Sequence, residues 1–149
     1  MMQKINPNTV LTVAGIGLLI YATKRALVSF GVIDDANVTK PLQILETQDY
    51  FNPKYFEQFK NKDVLILKSD YANSLCDIIH NAKGLFNDDE DAVYSVFEKL
   101  KTKSQVSFLA LRFNERYNAS LKNYLKSFLN NSEMANVANI INKLPSYKI

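Results

Sequence analysis

The sequence predicts an all-α protein: an N-terminal transmembrane helix followed by a compact bundle of about five helices. Three observations carry that prediction. Residues 10–23, "VLTVAGIGLLIYAT", hold no charge. From Ser69 onward apolar residues recur at helical spacing, punctuated by short polar breaks. The chain has only four glycines and four prolines, and no hairpin signal. The run "DVLIL" at 63–67 is strand-like but too solitary to build a sheet. The expected division is 1–33 as membrane anchor, 34–68 as a linker with a short docking helix, and 69–149 as the helical domain.

The anchor comes first in the chain. Its uncharged stretch is fourteen residues, roughly 21 Å as a helix and short for a ~30 Å hydrocarbon layer. After Lys24 and Arg25 the apolar character resumes in "ALVSFGVI" up to Ile33. Counted through Ile33 the segment is long enough to span, because both basic side chains can snorkel to the headgroups. Val10, Leu11, Val13, Ile16, Leu18, Leu19 and Ile20 supply the apolar surface. Tyr21 sits where an interfacial aromatic is expected. A cleaved signal peptide fits poorly, since the basic pair follows the apolar run. A buried core helix apolar all round is unusual in so small a domain. The Lys24–Arg25 pair favours the cytoplasmic side for the C-terminal domain, and Lys4 on the other flank opposes it.

Residues 34–50 show no sustained periodicity and contain Pro41, so they read as a linker along a surface. "FNPKYFEQF" at 51–59 reads as a short helix, with Asn52 as N-cap and Pro53 as its first residue. Its aromatics, Phe51, Tyr55, Phe56 and Phe59, are expected to dock this connector onto a core rather than to line a ligand pocket.

Five helices are expected in the remainder. The first buries Ala72, Leu75, Cys76 and Ile79 and stops at Gly84, with His80 near its C-terminal end. The second starts at Asn87–Asp88 and buries Val93, Val96, Phe97 and Leu100. Its carboxylates Asp89, Glu90 and Asp91 then occupy a first turn, where the helix dipole favours them. Thr102 or Ser104 caps the third, which carries Val106, Leu109, Phe113 and Tyr117 and ends at Asn118. The fourth holds Leu121, Leu125 and Leu129. Ser132 caps the fifth, with Met134, Val137, Ile140, Ile141 and Leu144, closed by Pro145.

Composition narrows the function. The single cysteine, Cys76, leaves no partner for an intramolecular disulfide. One histidine, His80, makes a histidine metal site or a Ser-His-Asp set improbable. Residues 1–33 carry Lys4, Lys24 and Arg25 and no acid, whereas 34–149 hold fifteen basic and fifteen acidic residues. A charge-balanced domain lacks the basic excess that phosphate binding needs, so nucleic acid is not an expected partner. No glycine loop cradles phosphate, and no pair of groups has the context for acid–base or nucleophilic catalysis. No enzyme activity and no cofactor are expected.

The order of residues from Lys83 to Leu144 resembles one annexin repeat, and the wording of the chain is similar to annexin-like proteins of Bacteroidetes and their phages. The likeness rests on Lys83 and Gly84, on "NDDE" at 87–90, and on Gln105 near a helix start. It continues through Leu109, Phe113 and Tyr117, then Leu121 to Leu129. The resemblance implies a helical interaction module, not an enzyme. It covers one repeat where annexins ordinarily have four. Phe86 and Asn87 occupy the family's calcium loop, and Phe128 stands where its distant carboxylate is expected. Calcium needs six to eight oxygen ligands, so calcium binding is not expected here. The acidic run with Gly84 also lacks the alternating ligands of an EF-hand.

Residues and resemblance together predict a non-enzymatic, membrane-anchored structural protein. The specific expectation is a minor virion protein of a membrane-containing bacteriophage, linking the lipid bilayer to the capsid or a vertex complex. Its partners are then a lipid bilayer and a capsid or other protein neighbour, with self-association left open. Its location is an internal virion membrane or a host inner membrane. Two alternatives stand beside it: an annexin-like peripheral lipid-binding module, and a bacterial or prophage inner-membrane accessory protein in lysis or envelope remodelling.

Overall fold

A computed structural model describes residues 36–59, 62–84 and 88–148. The chain divides into two units, Met1–Ala36 and Asn37–Ile149, and all but the first of the described residues belong to the second. Residues 1–33, read above as the membrane anchor and including Val10 to Arg25, lie outside the described residues. Among the described residues no helix is long and apolar enough to cross a membrane.

The described residues are all-helical. Helix α1 spans Ala36–Thr47 and is followed by a 3₁₀ helix, Tyr55–Phe59. Then come α2 (Ser69–Ala82), α3 (Glu90–Glu98), α4 (Lys103–Tyr117), α5 (Leu121–Lys126) and α6 (Asn131–Asn142). Helix α2 packs on α3 and α4, α3 on α6, and α4 on the 3₁₀ helix and α5. The buried stripes are those the periodicity marks. Ala72, Leu75, Cys76 and Ile79 of α2 meet Val93, Val96 and Phe97 of α3 and Val106, Leu109 and Phe113 of α4 in one apolar cluster. Burial pushes the Cys76 thiol up to about 12, so it behaves as a small apolar filler.

Helix α1 departs from the expected linker. Pro41 lies inside it and is buried, as is Leu45 four residues on. A proline at this depth removes one intrahelical hydrogen bond. Tertiary contacts offset that loss: Leu45 is 1% exposed, and Glu46 bridges Lys122, at 2.6 Å, and Lys126 of α5. The two ammonium groups, Lys122 foremost, hold the Glu46 carboxyl below the usual range.

The segment after α1 is a turn and one 3₁₀ stretch rather than a helix beginning at Asn52. The Asn52 side-chain oxygen accepts from Lys54 N–H at 2.9 Å, forming a local turn that competes with an α-helical start. Asn52 carbonyl oxygen also accepts from Ser107 Oγ at 2.6 Å, and Phe56 N–H donates back to that hydroxyl at 3.2 Å. Buried Ser107 thereby clamps the turn onto α4.

Three helix ends also differ from expectation. Helix α3 begins at Glu90, not at 87–88, because Asp89 is its N-cap and accepts from Ala92 N–H at 2.9 Å. Helix α5 stops at Lys126 and not near Leu129. Ser127 N–H turns to Tyr124 O and Phe128 N–H to Leu125 O, tightening the last turn. Leu129 remains buried beyond the helix. Helix α6 is capped by Asn130, not Ser132: the Asn130 side chain accepts from Ser132 and Glu133 N–H, while Glu133 accepts from Asn130 N–H. That reciprocal pair is a capping box. At α4, Thr102 is the cap, and Asn118 ends the helix in the left-handed region at φ 51°.

Candidate functional site

The densest set of polar and aromatic side chains lies along the seam where α2, α4 and α5 meet. Asn73, Asp77 and His80 follow one another on α2 at helical spacing, beside the buried stripe. Arg112 and Arg116 are four apart on α4 and face them. Arg112 donates twice to Asn73 Oδ1, at 3.2 and 3.1 Å. Arg116 binds Asp77 through two hydrogen bonds, 2.6 and 2.9 Å. The Tyr117 phenol donates to the same carboxylate.

Aromatic rings continue the seam. The His80 ring lies parallel to Tyr117, with centroids 4.0 Å apart, and nearly parallel to Tyr124 at 5.5 Å. Tyr124 donates its hydroxyl to the His80 carbonyl at 2.7 Å. Phe113 supports both tyrosines from the core, at 4.9 and 5.0 Å. Lys83 closes the row, donating to Ser127 Oγ at 2.9 Å with its ammonium 5.5 Å from the Tyr124 ring.

The electrostatics of this row favour holding over reacting. The Tyr117 hydrogen bond, and after it the Arg116 guanidinium, keep the Asp77 carboxyl below the usual range. Burial, and then the bond to Asp77, raise the Tyr117 phenol above its ordinary value. Neither group is therefore shifted toward neutral pH, where a general acid or base works best. What the arrangement does is fix the register of α2 against α4 and α5.

The acidic turn is the second feature. Gly84 N–H donates to Asp88 Oδ1 at 3.0 Å, and Asp89 N–H donates to the Ala82 carbonyl at 2.8 Å. Asp89 caps α3, and Glu90 and Asp91 occupy its first turn. Asn87 lies outside the described residues. Phe128 packs edge-on against Tyr124 at 5.6 Å. Among the described residues no group of three or more His, Cys, Asp or Glu side chains is placed to hold a metal ion.

The aromatics of 51–59 lie on the bundle. Phe51 is buried and meets Phe97 edge-on at 6.0 Å. Phe56 contacts Phe108 at 5.9 Å, and Phe59 contacts both Tyr55 at 5.5 Å and Tyr147 at 4.8 Å. Sequence reasoning did not identify the α2–α4–α5 seam. Its signal was present as a second, polar stripe: Asn73, Asp77 and His80 run in register with the apolar one, and Arg112 and Arg116 offer the matching spacing.

The chain matches no protein-family model, no curated protein sequence and no solved structure.

Proposed function

We propose that this chain is a membrane-anchored structural protein without enzymatic activity, in which residues 10–33 form the anchor and the helical bundle is a head that binds a protein neighbour. The observation that carries this reading is the division of charge and apolarity in the sequence. Residues 1–33 hold an uncharged apolar run with three basic and no acidic residues, and 34–149 are charge-balanced. The seam described above supports a structural role, because its titratable groups are engaged in binding helices together.

The narrower reading is a minor virion protein of a membrane-containing bacteriophage that links the bilayer to the capsid or a vertex complex. It draws support from the annexin-like order of residues 83–144 together with the apolar N-terminal run. Mass spectrometry of purified particles tests it, and absence from the virion removes it. Extraction of the full chain from membranes with alkaline carbonate tests the anchor. Retention in the pellet is expected; complete release into the supernatant would overturn the membrane part of the reading.

A further inference from the structure

Three stretches far apart in sequence meet at one corner of the head. Lys103 N–H donates to the Pro145 carbonyl and Ser104 N–H to that of Ser146, both at 2.9 Å. Leu65 N–H donates to the Tyr147 carbonyl at 3.2 Å, and Thr102 Oγ1 to the Leu65 carbonyl at 3.5 Å. The corner thus joins residues 62–68, the α3–α4 connection 99–103, and 143–148. These stretches contain seven lysines and one acidic residue, Asp63. Since 34–149 are balanced overall, the rest of the head carries the compensating acidic excess. Folding thus gathers three lysine-rich stretches at one corner.

Apolar side chains sit among these charges. Leu65 and Ile66, adjacent in the chain, are 44% and 48% exposed. A shallow open depression is lined by Asp63, Val64, Leu65 and Lys148. Lys62, Lys101, Lys143 and Lys148 are all exposed. Lys62 lies 4.8 Å over the Tyr147 ring, and Lys148 reaches Asp63 at 3.3 Å.

Ammonium groups around exposed aliphatics suit the surface of an anionic bilayer. The lysines meet headgroup phosphates while the aliphatics enter the headgroup–acyl boundary. We infer that this corner docks on an anionic lipid leaflet. Nucleic acid is a poorer fit. The three stretches contain no arginine, Leu65 and Ile66 offer no stacking face, and the Tyr147 ring is already engaged with Phe59. The corner lies beyond the C-terminal end of α3, whereas the acidic residues 88–91 lie at its N-terminal end, so docking does not draw on the acidic run. The inference rests on the membrane reading in one respect: an anchored head meets the leaflet at high effective concentration, which lets a modest surface affinity act.

The test uses the full chain with Ile66→Cys carrying a fluorophore; Cys76 is buried and stays unlabelled in the folded protein. The protein is reconstituted with phosphatidylcholine vesicles, with or without phosphatidylglycerol, each containing brominated lipid as quencher. Quenching is expected on anionic vesicles and not on neutral ones, and it should fall as salt is raised. Lys101→Gln should weaken the docking equilibrium about fivefold. The triple variant Lys62→Glu, Lys101→Glu, Lys148→Glu should abolish quenching while the protein still floats with vesicles and keeps its thermal transition. Equal quenching on both vesicle types, none on anionic vesicles, or an unchanged triple variant would overturn the inference. Tight retention on DNA without vesicle quenching would assign the corner to nucleic acid instead. Failure to float with neutral vesicles would count against the anchor alone, and the anionic arm would still decide the corner.

Discussion

His80 on α2 and Tyr117 on α4 lie face to face, their ring centroids 4.0 Å apart and their planes within 7°. This stack, together with the Arg116–Asp77 pair one turn earlier on α2, sets how the two longest helices meet. A double-mutant cycle with His80→Ala and Tyr117→Ala is expected to show coupling of about 0.5–1.5 kcal/mol beyond the separate losses. Denaturant titration of the four proteins measures it, and strict additivity would show that the stack contributes nothing specific.

The Asp77 carboxyl has its folded pKa lowered, first by the Tyr117 hydrogen bond and then by Arg116. A lowered folded value means that the stabilisation is fully present above the unfolded carboxyl pKa of ~3.9 and is lost as pH falls through the folded value. Asp77→Asn should therefore be less stable than the parent at about pH 6, with the gap closing in strong acid. Glu46 is shifted in the same direction, so the difference curve between variant and parent isolates Asp77. The gap will be modest because the pair is well exposed.

Leu45→Ala should release α1. Leu45 is 1% exposed and belongs to the core cluster, so truncation is expected to cost about 2–5 kcal/mol. Hydrogen exchange should show protection lost first across 36–47. Uniform loss over the whole head would mean that α1 has no separable opening.

Asn130→Ala should destabilise α6 by about 1 kcal/mol, because the capping box needs that side chain. Ser132→Ala, two residues further on, should stay within about 0.5 kcal/mol of the parent. Thermal denaturation of the two variants distinguishes the caps; the reverse ranking would move the helix start.

Most of the bundle was legible as periodicity. The stripes Ala72–Leu75–Cys76–Ile79 and Val93–Val96–Phe97 are both wholly buried, because in a helix spacing alone decides which residues share a face. Thr102 and Asn118 were legible because a cap and a left-handed terminus each favour few residue types. Helix α1 was not, since Pro41 signals a break locally and what overrides it is tertiary: Leu45 is buried in the core, and Glu46 pairs with distant Lys122 and Lys126. The α6 cap was misplaced because adjacent Asn and Ser residues are both good caps, and only Glu133 at the third helical position separates them. The lysine-rich corner has no local signature, as its stretches become neighbours only when 62–68, 99–103 and 143–148 are brought together.

Helix α1 is the first part of the head to be synthesised and depends on some of the last. Glu46 waits for Lys122 and Lys126, 76 and 80 residues downstream. Tyr50 waits still longer for Asn142, 92 residues on. Such distant closures come late in folding. During translation α1 must remain undocked until nearly the whole chain has left the ribosome. A chain cut short before α5 would therefore leave α1 without its clamp.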